Sequence, residues 1–275
     1  MPRRYQQPYL QLNSHYLWVP YTQQERRVRV LLPKNYQENL HETYPVLYML
    51  DGQNVIHSRE AYAGHSWKVI PHLKRNPQIP DLIIVAIDND GEQRLDEYTP
   101  WAMSPEEVEK TQHIGGGGQA HAQWIVEQVK PFVDGHYRTQ AEKETTFLAG
   151  SSLGGLMTAY MGAAYPDTFG VLGIFSLASW VNDEAFLQYI VQHPLKPETK
   201  VYLQVGTQEG NPADQAFTNR NVNQMYLDSS LWYYQTLLRT GHSLEQIWFR
   251  IQADETHSEE YWARHFGEFV VYSCQ

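Results

Sequence analysis

The stretch TTFLAGSSLGGLMTAYMGAAY, residues 145–165, decides the fold. An apolar run typical of a strand ends at Ala149, the pattern Gly-x-Ser-x-Gly follows, and a stretch rich in alanine, methionine and leucine continues with helical spacing. The sequence therefore predicts a strand that turns sharply into a helix, with a serine at the turn. Such a turn, a nucleophile elbow, presents a reactive hydroxyl at the edge of a mostly parallel sheet.

The glycine spacing selects one of two adjacent serines. An elbow brings backbone so close to the positions two before and two after its serine that these tolerate little larger than glycine. If the elbow is centred on Ser152, the two positions are Gly150 and Gly154. Framed on Ser151, they would be an alanine and a leucine, and the leucine would clash. We predict Ser152 as the nucleophile.

Length and charge limit the class of protein. The 275 residues are enough for one large α/β domain, and we expect a single domain over residues 1–275. A formal net charge of -10 argues against nucleic acid or an anionic membrane as partner, because both require a basic surface. We expect neither of them as a partner, and the expected partner is a small-molecule substrate. The sequence leaves the oligomeric state open.

Cysteine content and the first residues bear on the compartment. The one cysteine, Cys274, excludes an internal disulfide framework, suits a reducing compartment and does not suggest a catalytic thiol. The segment MPRRYQQPYL carries positive charge without a following apolar segment, and no run approaches the roughly 18 apolar residues of a membrane span. We expect a cytoplasmic protein.

The first third of the chain alternates strands with a crossover. Residues 15–19 and 25–32 resemble two antiparallel leading strands. The runs 44–54 (YPVLYMLDGQN) and 81–90 (DLIIVAIDND) are continuous and apolar, as in strands buried on both faces, with a helix expected around 65–75. Two such strands joined by a crossover predict a parallel sheet with helices on both faces.

Residues 91–121 interrupt this alternation. They contain RLDEYTPW, a charged segment and four glycines at 115–118, and we expect them to pass over the edge of the sheet where strands end and ligands bind. No P-loop lysine follows the glycines, so a hinge or close backbone packing is favoured over phosphate binding. Residues 119–134 have helical spacing, and Pro131 should end or kink that helix.

The second half continues the alternation of strands and helices, without an internal repeat or a low-complexity linker. Its predicted elements are a strand within 171–180, a helix at 183–193, a strand at 200–205, a helix at 221–241, a strand at 247–252 and a last helix at 259–272.

A serine nucleophile needs a base within hydrogen-bond reach and an acid that orients the base. In elbow folds the acid follows the serine along the chain and the histidine comes last. Glu209 follows the predicted strand at 200–205 and is our candidate acid. Asp214, Asp183 and Asp228 remain alternatives.

Among twelve histidines, only His257 lies in the loop after the final predicted strand, and we predict it as the base. His113 and His121, on either side of the glycines, could reach the site from the excursion. Thr256 and Glu259 are spaced as a capping box for the last helix.

A tetrahedral intermediate needs preorganised N–H donors for its oxyanion. The backbone N–H of Leu153, which directly follows the serine, is one predicted donor. Gln53 is the other, from the turn after the strand at 44–50, with Gly52 and Asn54 as alternatives.

No metal and no cofactor are expected. No histidine pair has the spacing of a zinc motif, and Asp88-Asn89-Asp90-Gly91 places its glycine too early for a calcium loop. Aromatic side chains could line a pocket for an aryl or sugar-borne ester, although such side chains are more often core. Trp180, directly after a predicted strand end, and Tyr98 are the predicted substrate-binding residues.

Several of these segments together resemble one family. YPVLYMLDGQN, RLDEYTPW, PFVDGHYRT, LAGSSLGGLMTAY, Gly-Thr-x-Glu after a strand and a late His-Ser-Glu-x-x-Trp segment are similar to the esterase family of the α/β-hydrolase superfamily. That family includes enterochelin esterase-like, S-formylglutathione hydrolase-like and feruloyl or acetyl-xylan esterase-like proteins. The resemblance covers roughly residues 25–270.

The resemblance implies an α/β-hydrolase fold and a serine carboxylesterase in which Ser152, Glu209 and His257 form the triad. It does not choose a substrate. Similar sequences often carry a small residue just before the histidine, where this chain has Asp254-Glu255-Thr256, and these acids could raise the basicity of the histidine. An acyltransferase with the same site, or a binding protein that keeps the fold without turnover, is the alternative.

Overall fold

A computed structural model describes residues 11–210 and 220–275 of the chain. Within these residues the strands are β1 Leu12–Val19, β2 Gln24–Leu31, β3 Val46–Met49, β4 Ile83–Ile87, β5 Thr146–Ser151, β6 Val171–Phe175, β7 Lys200–Gln208 and β8 Ile247–Thr256. These eight strands form one sheet in the order β1-β2-β4-β3-β5-β6-β7-β8.

Strand direction divides the sheet into two parts. β1 and β2 pair antiparallel, and β2 is antiparallel to β4, whereas β4, β3, β5, β6, β7 and β8 are all parallel. The predicted α/β class, with two antiparallel leading strands, is confirmed. Because the six parallel strands all end at the same edge, the loops that follow them share one surface of the molecule.

Helices lie on both faces of the sheet. They are α1 Val69–Arg75, α2 Arg94–Glu97, α3 Pro105–Thr111, α4 Gly118–Trp124, α5 Lys130–His136, α6 Leu153–Ala164, α7 Asp183–Gln192, α8 Val222–Arg239 and α9 Glu259–Ser273. None of the helices in the described part of the chain is long and apolar enough to cross a lipid bilayer.

Alternate residues of a single strand enter two separate cores. Val46 and Tyr48 of β3 pack into a core with α6 and α8, while Leu47 and Met49 pack into a second core with α1 and α9. This alternation follows from the period of two in a strand, and it explains why these strands read as continuous apolar runs.

The sequence predicts that Pro131 ends or kinks its helix, but the helix does not end there. The five residues Ile125–Val129 form a π-helical segment that joins α4 to α5, and Pro131 lies in the first turn of α5. A proline cannot donate the i→i−4 hydrogen bond, and a wider π turn displaces that bond without stopping the helix. The helix therefore continues to His136.

The glycine tract serves close packing. A Cβ on Gly118 would lie 2.8 Å from the Met157 sulfur and 2.8 Å from the Pro100 nitrogen. The backbone N–H of Gly115 donates to the Asp96 carboxylate at 2.7 Å, and that of Gly116 to a backbone carbonyl at 2.9 Å. Because these N–H groups are already bonded within the protein, the tract does not present a phosphate cradle.

Candidate active site

The elbow is strained at Ser152. β5 ends at Ser151, α6 begins at Leu153, and Ser152 between them has φ 59° and ψ -125°. Its backbone N–H donates to the Phe175 carbonyl, at 2.9 Å, which ties the turn to the end of β6. A non-glycine residue with positive φ costs free energy and persists where the surroundings fix it, often at functional sites.

Close backbone contact explains the glycine pattern. A Cβ on Gly150 would lie 2.4 Å from the Gly154 carbonyl oxygen, a distance that no side chain can adopt. A Cβ on Gly154 would lie 3.2 Å from Oδ2 of Asp51, which is tight. The second contact also shows that the loop after β3 touches the first turn of α6.

Glu209 and His257 meet because each directly follows the end of a strand. β7 ends at Gln208 and β8 ends at Thr256, and these two residues are paired across the parallel strands. His257 Nδ1 lies 2.8 Å from Glu209 Oε2. A carboxylate only accepts, so Nδ1 carries the proton and Nε2 of a neutral ring is left as the acceptor.

Glu209 is fixed on its other oxygen as well. Oε1 accepts the Ser176 hydroxyl at 2.6 Å and the backbone N–H of Gly206. The residue is 1% exposed. A buried carboxylate with three donors is held in one orientation, and it can stabilise a positive charge on the imidazole beside it.

Two aromatic rings hold the imidazole of His257. Tyr226 lies at 4.5 Å between ring centroids and Trp262 meets it edge-on at 4.9 Å. His257 Nε2 is 3.5 Å from the Tyr226 hydroxyl, at the long limit of a hydrogen bond. Within residues 11–210 and 220–275, Ser152 makes no hydrogen bond with His257. Catalytic hydrogen bonds are often long in a free enzyme and shorten in the substrate complex.

The alternative acids lie elsewhere or outside the described residues. Asp183 accepts the Ser179 hydroxyl at 2.6 Å, and Asp228 accepts the Gln224 side-chain amide at 2.8 Å. Asp214 lies outside the described residues. Of the described candidates, Glu209 is the one in contact with His257.

The two histidines of the excursion do not join this cluster. His113 Nδ1 pairs with Asp96 at 2.6 Å. His121 is fully buried, with Nδ1 2.8 Å from the Tyr21 hydroxyl, and burial lowers its pKa to about 4. His121 is therefore neutral at physiological pH and supports the packing below the excursion.

The predicted oxyanion turn, Gly52–Asn54, is a short 3₁₀ helix directly after Asp51, which has φ 53°. Arg94 donates two hydrogen bonds to the Asp51 carboxylate, at 2.7 and 2.8 Å. Burial alone would lower the pKa of this guanidinium, but the charge and hydrogen bonds of Asp51 raise it. The first N–H groups of a helical turn have no acceptor within the helix. The turn that carries Gln53 and the first turn of α6, which carries Leu153, are thus in contact through Asp51.

The predicted capping box before the last helix is wrong. The N-cap of α9 is Ser258, since β8 continues to Thr256, and no side chain caps the helix. Glu259 instead accepts the Asn54 side-chain amide at 2.7 Å, and burial followed by the nearby Asp51 charge raises its pKa. This hydrogen bond joins the predicted oxyanion turn to the segment that carries His257.

The two predicted substrate-binding residues have different surroundings. Tyr98 has no exposed surface, and its hydroxyl accepts the backbone N–H of Asp51 at 3.0 Å. This position supports the Asp51 turn and does not support a contact with substrate. Trp180 is 8% exposed and meets the Tyr226 ring edge-on, with centroids 5.9 Å apart, one ring away from His257.

Four residues at this site were not predicted from the sequence: Asn54 as a bridge to Glu259, and Arg94, Ser176 and Trp262. Ser176 carried a usable signal, because it directly follows the strand beside the elbow strand. The only signal for Arg94 and Trp262 was that each lies in a segment that resembles the esterase family. Their partners are far away in the chain, and such long-range pairs cannot be predicted from one sequence.

The profile of the family described as "Putative esterase" matches residues 20–270. The chain belongs to this esterase family. The esterase is 25% identical over 242 residues to the uncharacterized protein YbbA of Bacillus subtilis, an alignment that covers 88% of this chain and 89% of that protein.

Solved structures agree with this family. The esterase superimposes on an IroE-like serine hydrolase from Shewanella oneidensis with a TM-score of 0.72 at 20% identity, covering 95% of this chain and 79% of that one. It superimposes on a ferulic acid esterase from Anaeromyces mucronatus, in complex with ferulic acid, with a TM-score of 0.66 at 20% identity, covering 98% and 93%. The chain is an ester-hydrolysing enzyme with an α/β-hydrolase fold.

Proposed function

We propose that the esterase hydrolyses a carboxylic ester through an acyl-enzyme formed on Ser152, with His257 as the general base and Glu209 as the acid that orients it. The observation that carries the proposal is the 2.8 Å hydrogen bond between His257 Nδ1 and Glu209 Oε2. This bond leaves Nε2 as the proton acceptor, at the edge of the sheet where the elbow places Ser152.

Acylation begins when Ser152 Oγ attacks the ester carbonyl and passes its proton to His257 Nε2. The negative charge moves to the carbonyl oxygen, and the N–H groups of Leu153 and Gln53 donate to it. Glu209 stabilises the imidazolium formed in this step without taking its proton. The two donor segments are held together by the contact of Asp51 with Gly154.

Breakdown of this intermediate completes the first half of the reaction. The bond to the alcohol oxygen breaks, His257 gives its proton to the leaving alcohol, and the acyl group remains on Ser152. Water then attacks the acyl carbon while His257 takes its proton; the bond to Ser152 Oγ breaks, His257 returns the proton to that oxygen, and the carboxylic acid leaves. Each half of the reaction uses the same base and the same oxyanion donors.

The acyl or alcohol group of the substrate is proposed to lie against Trp180. Its position, one ring away from His257, supports this assignment. One structural neighbour is a ferulic acid esterase. We therefore include aromatic acyl esters, along with short-acyl, long-acyl and acetylated-sugar esters, among the substrates to be compared.

The test replaces each of the adjacent serines. S152A should abolish labelling by a fluorophosphonate probe and lower kcat on an activated aryl ester by about 10⁴-fold or more. S151A is the matched control, because Ser151 is the adjacent serine, ends β5 and has no proposed role in the reaction. It should retain labelling and turnover.

Activity that survives in S152A would refute the proposal, and so would a wild-type protein that the probe does not label. Product analysis with added alcohols separates hydrolysis from acyl transfer. A carboxylic acid as the main product supports hydrolysis, and a new ester as the main product replaces it with acyl transfer at the same serine.

A further inference from the structure

We propose that Ser176 and Trp262 are a hydrogen-bonded pair of positioning residues that holds Glu209 in the orientation His257 needs. The inference deepens the proposed function and rests on it. Neither residue would touch the substrate or the reacting atoms. Both would act through the carboxylate of Glu209, and Trp262 would also pack against the imidazole of His257.

The geometry is a continuous chain of hydrogen bonds. Trp262 Nε1 lies 2.8 Å from Ser176 Oγ, and Ser176 Oγ lies 2.6 Å from Glu209 Oε1. The other carboxylate oxygen, Oε2, is 2.8 Å from His257 Nδ1. The exposed fractions are 3% for Trp262, 0% for Ser176 and 1% for Glu209.

Chemistry fixes the direction of every bond in this chain. An indole N–H can only donate, so Ser176 Oγ accepts from Trp262 and must turn its own proton toward Glu209. The carboxylate of Glu209 can only accept, so it accepts one hydrogen bond from Ser176 and one from His257. The hydroxyl of Ser176 is thereby locked in one rotamer, because Trp262 occupies the acceptor side of its oxygen.

The backbone of Ser176 connects the acid to the nucleophile turn. Its φ is 47°, and its N–H donates to the Gln204 carbonyl at 2.7 Å. The preceding residue, Phe175, accepts the N–H of Ser152 through its carbonyl at 2.9 Å. A displacement of this strand end would therefore move the serine and the acid together.

Trp262 also contacts the imidazole of His257 directly. It lies in the first turn of α9, and its ring meets the His257 ring edge-on at 4.9 Å while stacking on Trp67 at 6.0 Å. One side chain thus packs against the imidazole directly and orients its carboxylate partner through Ser176. Both effects stabilise one relative position of Glu209 and His257.

Loss of Ser176 leaves two buried polar groups without their partner. The Trp262 N–H would lose its acceptor, and Glu209 Oε1 would keep only the Gly206 N–H. An unsatisfied buried group costs more than the net value of the hydrogen bond, so the carboxylate is expected to turn toward a new donor. That rotation would break the in-line contact with His257.

The experiment compares S176A, W262F and the double variant. W262F keeps an aromatic ring against His257 and removes the N–H together with part of the indole ring. The controls are S179A, which deletes another serine-to-carboxylate bond of 2.6 Å, and W124F, which makes the same change of ring and deletes an indole N–H bond to a backbone carbonyl; both of these bonds are partly buried. Thermal unfolding of each variant reports whether it folds.

S176A should lower kcat about tenfold to a hundredfold while KM changes by less than about threefold, as for other residues that orient a reacting group. W262F should lower kcat about threefold to tenfold in the wild type and less than about twofold in S176A, because residues in one hydrogen-bond chain are not additive. Both controls should keep kcat within about twofold. Additive effects, or an S176A enzyme with unchanged kcat, would overturn the inference.

A second readout does not need turnover. The Nδ1 proton of His257, held by Glu209, should give a resolved downfield proton NMR resonance that moves or broadens in S176A and W262F but not in S179A or W124F. An unchanged resonance in both site variants overturns the positioning role, whether or not the esterase activity is confirmed. If S176A does not fold, W262F carries the test alone.

Discussion

Gln208 of β7 is paired with Thr256 of β8, although four residues earlier in β8 Gln252 is paired with Gly206. Between these two pairs β7 advances by two residues and β8 by four, so β8 contains two extra residues. Without them the position opposite Glu209 would be occupied by Glu255. With them it is occupied by His257, whose Nδ1 lies 2.8 Å from Glu209 Oε2.

The extra residues are accommodated by a close approach of backbone. A Cβ on Gly206 would lie 2.2 Å from the Glu255 carbonyl oxygen. Asp254, inside the bulge, has φ 60°, and its N–H donates to the Thr207 hydroxyl at 2.9 Å. The Glu255 carboxylate pairs with His265 at 2.7 Å, so it does not act on His257 as a hydrogen-bond partner.

Gly206→Ala should therefore damage the site more than the fold. The added methyl group must push Glu255 and the bulge away, which moves His257 relative to Glu209. We expect kcat to fall by about 10²-fold, the cost of a displacement of about 1 Å at a reacting group. We expect the free energy of unfolding to fall by about 1–3 kcal/mol. Steady-state kinetics and urea unfolding measure the two effects.

The control for this substitution is Gly135→Ala. A Cβ on Gly135 would meet no atom within 4 Å, and the residue lies in helix α5. This variant should keep full activity and be as stable as the wild type or slightly more stable. A Gly206→Ala enzyme as active as Gly135→Ala would show that the bulge does not position His257.

Glu259→Gln should stabilise the esterase at alkaline pH. Burial and the Asp51 charge raise the pKa of Glu259, against the opposing charges of Arg94 and His257. A carboxyl whose pKa is higher in the folded state favours folding most below its unfolded pKa, about 4, and that contribution is lost as pH rises through the folded pKa. A glutamine at this position can still accept the Asn54 amide but does not ionise, so the variant does not lose this stability at high pH.

The measurement is Tm as a function of pH. Glu259→Gln should raise Tm at pH 8 and leave Tm at pH 4 nearly unchanged, so that the two curves converge toward acid. The control is Glu260→Gln, because Glu260 is exposed and pairs only with the exposed Arg264 among the described residues. An equal shift of Tm at both pH values would mean that the ionisation of Glu259 is not the cause.

Trp180→Ala tests the proposed contact with substrate. If the indole packs against an aromatic acyl group, KM for a feruloyl ester should rise about tenfold while KM for an acetyl ester changes by less than about threefold. Trp232→Ala is the control, because Trp232 is 39% exposed on helix α8 and has no proposed role. Equal changes for both esters would assign Trp180 to the core.

Local sequence was sufficient for most of the elements. Continuous apolar runs gave β3 and β4, and the helical spacing of residues 221–241 gave α8, Val222–Arg239. The errors came where a distant partner outweighed a local preference. Glu259 was expected to cap its own helix, but it bonds to Asn54, which lies 205 residues away in the chain.

The sequence by itself determined the elbow and the order of the elements. The reason is that a strand, a glycine-bounded turn and a helix are specified by residues next to one another. It also indicated Glu209 and His257 as candidates, because each follows a recognisable strand. Only the tertiary structure decided that these two residues face each other. Strand register and the bulge opposite Gly206 depend on backbone contacts between segments about fifty residues apart, and a single sequence does not record them.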